Sequence, residues 1–238
     1  MLYICKIVNA MLRRHFIINT DSGIPKDEIW YTSYDGKITP SDPTVFGANY
    51  LPDKSTFDSD TGKGILKFDG NITSIGEYAF NYCMITTITI PNSVKSIGMW
   101  AFDSSDLVSI VIPNSVKNIE NAAFEYCGSL SSVIIGNGVT SIKDSTFAYC
   151  ASLSSVIIGN RVTSIEGWAF CECESLTSIE IPNSVTSIGY GAFSSCYELS
   201  NILYKGTIAQ WNAIAKEANW NDNVPATIVH CINGDVEI

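Results

Sequence analysis

A chain of 238 residues that is 46% hydrophobic holds enough apolar material for a continuous core, which argues against a disordered polypeptide. Its 24 acidic and 14 basic residues give a net charge of −10, which repels phosphate backbones and anionic lipid, so nucleic acid is not an expected partner. No apolar run approaches the roughly 18 to 20 residues that a membrane-crossing helix needs, so no membrane insertion is expected.

The chain opens with MLYICKIVNAMLRRHFIINT, where Lys6 and Asn9 break the apolar stretch and Arg13 and Arg14 follow it. A signal peptide carries its positive charge first, so none is expected here. DEIWYTSYDGKIT alternates apolar and polar residues around Asp35-Gly36, the pattern of a hairpin. TPSDPTVFGANYLPDKSTFDSDTGK is rich in Pro, Asp, Ser and Gly and reads as a long loop. In it, Asp58 and Asp60 are either a weak calcium site or solvated loop carboxylates. GILKF, from Gly64 to Phe68, aligns with the strands that follow and starts their sheet. Residues 1–64 are thus read as an N-terminal segment with a β-rich cap.

From residue 65 to 204 one phrase recurs six times: ITSIGEYAF, VKSIGMWAF, VKNIENAAF, VTSIKDSTF, VTSIEGWAF and VTSIGYGAF. The terminal residues Phe80, Phe102, Phe124, Phe147, Phe170 and Phe193 fall 22 or 23 apart, within the period of leucine-rich repeats. An apolar residue follows each Phe and opens a strand: Ile85, Leu107, Leu130, Leu153, Leu176 and Leu199. Opener to next Phe is always 17 residues, while Phe to opener is five or six. Strands in register cannot gain a residue without flipping side chains, whereas surface turns can, so only the turn after the Phe varies. In each rung, as in LSSVIIGNGVTSIKDSTF, Leu130, Val133, Ile135, Val139, Ile142 and Phe147 point inward. One rung alone cannot bury them, so the fold is a repeat solenoid, mainly β with short helical turns. Pro91, Pro113 and Pro182 mark the corners where strands end.

Residues 205–238 read as a second cap. Thr207 and Gln210 form a capping box, and Trp211, Ile214 and Ala218 follow at helical spacing, predicting a helix over the last rung. ATIVHCINGDVEI then reads as a strand, an Asn-Gly turn and a return strand.

Cys83, Cys127, Cys150, Cys173 and Cys196 each lie three residues after a repeat Phe, so they belong to the coil. They read as buried thiols acting as small hydrophobes. Disulfides between rungs would need side chains re-aimed, and Cys171-Glu172-Cys173 lacks the spacing of a zinc site. His15 and His230 lie at opposite ends, and no phosphate loop, GxSxG or HExxH is present. No enzyme, cofactor or metal is expected, the alternative being an active site assembled only by the fold.

The phrase SVTSIGYGAFSSCYELSNI with its IPNS linkers resembles the BspA-like leucine-rich-repeat family over about Ile65 to Tyr204. EIWYTSYDGKITP and YKGTIAQWNAIAKEANW resemble the segments that flank such repeats. The resemblance implies a cell-surface or secreted protein that adheres to host, matrix or bacterial protein or glycan.

Strand alternation sends two rows of residues to the outside. One reads Thr87, Ser109, Ser132, Ser155, Ser178 and Asn201; the other reads Thr89, Val111, Ile134, Ile157, Glu180 and Leu203. Small hydroxyls beside an apolar centre suit an interface, although β-branched residues also simply suit strands. A second candidate surface is the aromatic set Tyr78, Trp100, Trp168 and Tyr190, with Tyr82, Tyr126 and Tyr149. The expected function is a non-enzymatic binding module, monomeric or weakly self-associating; the alternative is a structural spacer that only self-assembles.

Overall fold

The computed structural model describes residues 24–34 and 36–238, so the expectations about the leading segment, His15 and Asp35 lie outside the described residues. Strands β1 (Glu28–Ser33), β2 (Thr56–Asp58) and β3 (Lys63–Lys67) precede the repeats. Each rung then adds a two-residue strand and a longer one. In chain order these are β4 (Ser74–Ile75) and β5 (Ile85–Thr89), β6 (Ser96–Ile97) and β7 (Ser109–Ile112), and β8 (Asn118–Ile119) and β9 (Ser132–Ile135). They continue as β10 (Ser141–Ile142) and β11 (Ser155–Ile157), β12 (Ser164–Ile165) and β13 (Ser178–Ile181), and β14 (Ser187–Ile188) and β15 (Asn201–Tyr204). Helix α1 (Ile208–Ala213), β16 (Ala215–Lys216), β17 (Ile228–Cys231) and β18 (Gly234–Glu237) complete the chain.

The protein is a leucine-rich-repeat solenoid, as the repeat predicts, and three ladders of hydrogen bonds join its rungs. The long strands of the rungs pair in parallel, with antiparallel strands added at the ends, and form sheets in the orders β11-β9-β7-β5-β1-β3-β2 and β13-β15-β17-β18. The short strands form two more, β4-β6-β8 and β10-β12-β14-β16. The third ladder runs through the turns around each Phe. The N–H groups of Tyr126, Phe124 and Ala122, for example, donate to the carbonyls of Ala148, Thr146 and Asp144 in the next rung at 2.9 to 3.0 Å.

Inside, the repeat phenylalanines form one spine. Neighbouring rings stack with centroids 5.0 to 5.5 Å apart from Phe80 to Phe193. The residues expected inward, Leu130, Val133, Ile135, Val139, Ile142 and Phe147, are all buried. Both ends of the spine close on an aromatic edge. Phe46 meets Phe80 at 5.7 Å and Phe68 at 4.9 Å, and Trp220 meets Phe193 at 6.2 Å. These rings cover faces that would otherwise meet water, worth about 1.5–3 kcal/mol for a large side chain fully buried.

Several local expectations are corrected. No hairpin forms around Gly36, since residues 36–49 hold no strand. Instead β1 lies antiparallel between β3 and β5, with Trp30 opposite Ile65 on one side and Thr89 on the other. Alternation shows which face of a strand is apolar but not which strand it will pair with. The supposed loop contains a 3-10 turn at Pro52–Lys54, strand β2 and the buried Phe46. Gly62 closes the β2–β3 hairpin at φ +66°, where a Cβ would stand 2.8 Å from the Ser33 carbonyl. Leu107, Leu130, Leu153, Leu176 and Leu199 are buried in the turns rather than opening strands, which begin two residues later. Leu130, for instance, is held by its own N–H donating to the Cys127 carbonyl at 3.0 Å.

At the far end the capping box of α1 is present, with Gln210 N–H donating to Thr207 Oγ1 and Thr207 N–H to Gln210 Oε1. The helix is shorter than its apolar spacing suggests, and Ala218 is exposed. After α1 the chain re-enters the coil, β16 pairs with β14, and Trp220 ends the spine. In the tail hairpin the loop is Ile232-Asn233, with Gly234 opening the return strand at φ +136°.

The turn ladder forces an unusual backbone. The residues two before and two after each repeat Phe adopt positive φ, including Tyr78, Tyr82, Trp100, Tyr126, Ser145 and Trp168. This conformation costs an L-residue about 1–2 kcal/mol. Gly191 occupies the same place in the last repeat at φ +60°, and a Cβ there would stand 3.0 Å from the Trp168 ring. Glycine is itself about 0.5–1 kcal/mol dearer in lost chain entropy. Ser145→Gly is therefore expected to stabilise the fold by roughly 0.5 kcal/mol or more, and Gly191→Ala to destabilise it, as read from thermal melts.

All seven described cysteines are free. Cys127, Cys150, Cys173 and Cys196 each donate Sγ–H to the carbonyl of the Phe one rung back, at 3.1 to 3.3 Å. They are small hydrophobes with one weak hydrogen bond each. Burial pushes the Cys196 thiol up to about 12 and the Cys83 thiol up to about 11. Because only the thiolate is nucleophilic, iodoacetamide at pH 8 is expected to leave these two unmodified in the folded protein. Rapid labelling of Cys196 without unfolding would contradict this packing.

Candidate functional site

The two outward rows form as aligned lines across the rungs. Ser109, Ser132 and Ser155 lie opposite one another, as do Val111, Ile134 and Ile157. Thr87 pairs with Ser109, Ser178 with Asn201 and Glu180 with Leu203. Thr87, Thr89, Ile157, Ser178 and Glu180 are exposed, while Ser109, Val111, Ser132, Ile134 and Ser155 are half-buried. The rows do not run on one sheet, however. The ladder stops between β11 and β13, so Ile157 is the last apolar member before Glu180, which pairs with Lys205 at 2.5 Å.

Over β5 to β11 the apolar row lines a groove of about 640 Å³. Val111, Ile134 and Ile157 line it together with Asn114, Asn137 and Asn160 from the corner. These asparagines are linked one to the next: Asn137 N–H donates to Asn114 Oδ1 at 2.7 Å, and Asn160 N–H to Asn137 Oδ1 at 2.9 Å. No ionisable side chain lines the groove.

A second hollow of about 530 Å³ shares Thr87 and Thr89 with the first and continues over β1, β2 and β3. Trp30, 42% exposed, and Ile65 stand in line with Thr89 by strand register. The apolar stripe therefore extends from Ile65 through Trp30 to Ile157, broken only by Thr89. Trp30 and Ile65 were not among the residues picked from the sequence, although EIWYTS alternates clearly. The repeat alone does not show that β1 and β3 join the repeat sheet. Thr32 extends the hydroxyl row, sharing hydrogen bonds with Thr86 and Thr87 at 2.6 and 2.7 Å.

The aromatic set lies on the turn side. Tyr78 stacks on Trp100 at 5.1 Å and Tyr126 on Tyr149 at 4.5 Å, so in each pair the rings cover one another's faces. Tyr190 stands three residues before its Phe rather than two, and meets Trp168 edge-on at 5.4 Å. Nearby, burial raises the carboxyl of Asp103 against hydrogen bonds from Ser104 and Asn81, and burial together with the Asp103 charge raises that of Glu125.

The remaining candidates have structural partners. Asp58 accepts hydrogen bonds from Thr61 Oγ1 and the Asp60 N–H, which hold its carboxyl below the usual range and shape the β2–β3 turn. His230 Nδ1 lies 2.9 Å from Asp235 across the β17–β18 hairpin. Among the described residues no group of three or more His, Cys, Asp or Glu gathers as a metal site, and no helix is long and apolar enough to cross a membrane.

Among solved structures, a leucine-rich repeat protein from Bacteroides ovatus is 22% identical with a TM-score of 0.51, covering 68% of this chain and 52% of its own. This chain thus spans about half the length of that protein. A leucine rich cell surface protein from Faecalibacterium prausnitzii is 26% identical, covering 62% of this chain and 61% of its own, with a TM-score of 0.29. The T. pallidum leucine rich repeat protein is 21% identical over 81% of this chain and 71% of its own, with a TM-score of 0.46. No curated protein matches. The model of the BspA type leucine rich repeat region matches in six copies across residues 53–174 and 140–215, and the chain belongs to that family.

Proposed function

We propose that this chain is a non-enzymatic recognition module that binds a protein or glycan partner on its exposed strand face, centred on Val111, Ile134 and Ile157. The observation that carries this reading is the apolar stripe, which crosses six strands of one sheet, from Ile65 to Ile157, and over β5 to β11 lines a groove without ionisable groups. Apolar rows bordered by hydroxyls have the make-up of an interface with an apolar centre and a polar rim. The turn side is the weaker candidate, because Tyr78 with Trp100 and Tyr126 with Tyr149 already satisfy each other.

Adhesion to host, matrix or bacterial surfaces and a place at the cell surface accord with the family, and with the cell surface description of the F. prausnitzii protein. The ends of the solenoid favour a monomer. Edge strand β2 has three residues, and edge strand β18 carries Asp235 and Glu237, both features that discourage edge pairing.

The test is Ile134→Glu combined with Ile157→Glu, assayed for binding to an array of matrix proteins and glycans. Each buried isoleucine contributes about 1.5–3 kcal/mol, so partner affinity is expected to fall on the order of a hundredfold or more. Circular dichroism and melting temperature should stay nearly unchanged, because both side chains face out. Trp168→Ala is the control and should leave binding intact. Full binding by the double Glu variant, or its loss in Trp168→Ala alone, would move the site off the strand face.

A further inference from the structure

The hollow over β1, β2 and β3 differs in kind from the groove beside it. Strand register sets its outward residues in two lines, Thr56, Ile65, Trp30 and Thr89 in one and Asp58, Lys63, Thr32 and Thr87 in the other. Trp30 is the one aromatic ring in these lines. Its indole N–H donates to Glu28 Oε2 at 2.8 Å, and Glu28 Oε1 accepts from Lys67 Nζ at 2.6 Å. The polar edge of the ring is thus satisfied and its orientation held, while Trp30 stays 42% exposed. What it offers a ligand is a flat apolar face that carries the negative side of the ring quadrupole.

Polar groups stand around that face. Thr32 Oγ1 shares hydrogen bonds with Thr86 and Thr87, whereas the hydroxyls of Thr56 and Thr89, at the two ends of the Trp30 line, have no hydrogen-bond partner among the described residues. Asp58 and Lys63 lie opposite one another in the β2–β3 ladder, so the lining carries one charge of each sign. The hollow, about 530 Å³, is of the size that takes a small ligand, roughly 300–1,000 Å³. An apolar peptide side chain seated here would cover the hydroxyls and both charges without supplying partners. A polyanion gains little from a lining whose charges cancel. A pyranose ring presents a C–H face for the indole and hydroxyls, each donor and acceptor, for the rim.

We propose that this hollow is a subsite for one sugar unit of an uncharged glycan, stacked on Trp30 and hydrogen-bonded by Thr56, Thr89, Asp58 and Lys63. This deepens the recognition role proposed above and rests on it in one respect: the rest of the glycan runs toward Val111 past Thr87 and Thr89, which line both the hollow and the groove.

The experiment is affinity gel electrophoresis of the full chain through neutral polysaccharides (β-glucan, xyloglucan, galactomannan and dextran) and through the polyanion heparin. At least one neutral polysaccharide is expected to retard the chain, and heparin is not. Trp30→Ala should weaken that binding about thirtyfold or more. Thr56→Val with Thr89→Val, which keeps side-chain shape and removes only the hydroxyls, should weaken it about tenfold. If Trp30→Ala does not fold by circular dichroism, the valine pair carries the comparison. No retardation by any neutral polysaccharide, retardation by heparin alone, or binding unchanged in either variant overturns the subsite. A matrix protein that binds the full chain and Trp30→Ala but not the double Glu variant, with no polysaccharide retained, overturns the subsite and leaves the recognition reading standing. Polysaccharide binding lost in Trp30→Ala and complete in the double Glu variant supports the subsite and removes the reading centred on Ile134 and Ile157.

Discussion

The stacking of one phenylalanine on the next sets the geometry on which the rest of the molecule depends. Rings 5.0 to 5.5 Å apart match the rise between parallel strands, so the spine and the sheet ladder share one repeat distance. A rung that gained or lost a residue between its strand and its Phe would break both at once. That is the physical meaning of the constant 17-residue segment, and the reason the extra residue of the longer repeats is confined to the turn after the Phe. The same coupling makes the ends vulnerable, and the chain meets this with Phe46 at one end and Trp220 at the other, each edge-on to the last ring it covers.

Holding the rings in register has a cost that appears in the turns. Direct hydrogen bonds between rungs require alternate residues around each Phe to point their N–H groups along the axis, and this places Tyr, Trp and Ser in the left-handed region. A helix in these turns would have satisfied its own backbone and left the rungs joined only by packing. The strained turns instead join each rung to its neighbour, and the cysteine thiols add one weak bond per rung to the Phe carbonyls.

The repeat itself was legible in the sequence because its constraints are periodic: burial of Val133, Ile142 and Phe147 follows from position in the phrase. The outward rows were legible for the same reason, since alternation within a strand decides which side chains leave the core. What periodicity could not convey is pairing between segments that do not repeat. Trp30 and Ile65 complete the stripe only because β1 inserts antiparallel between β3 and β5, a choice set by the fit of Ile29, Tyr31 and Leu66 to the first rung rather than by any local signal. Phe46 was hidden in a stretch whose Pro, Asp and Ser content marks a loop, and composition does not reveal a single ring that plugs a core. The interruption of the sheet after β11 was likewise invisible, because the phrase continues unchanged through it.

That interruption bears on function. Core positions stay nearly constant from rung to rung, and the hydroxyl row reads Thr, Ser, Ser, Ser, Ser, Asn, whereas the neighbouring row passes from Thr89 through Val111, Ile134 and Ile157 to Glu180. β-Propensity alone does not account for this, since Thr89 shows that a β-branched polar residue fits the same place at lower apolar exposure. The apolar run lies on the parallel long strands β5 to β11, and it ends where their pairing ends. A surface held in place by a paired sheet loses less entropy on binding than a mobile one. In the recognition role proposed above, the apolar strand face would be the contact surface, and the turns and thiols would serve it by holding its strands in register.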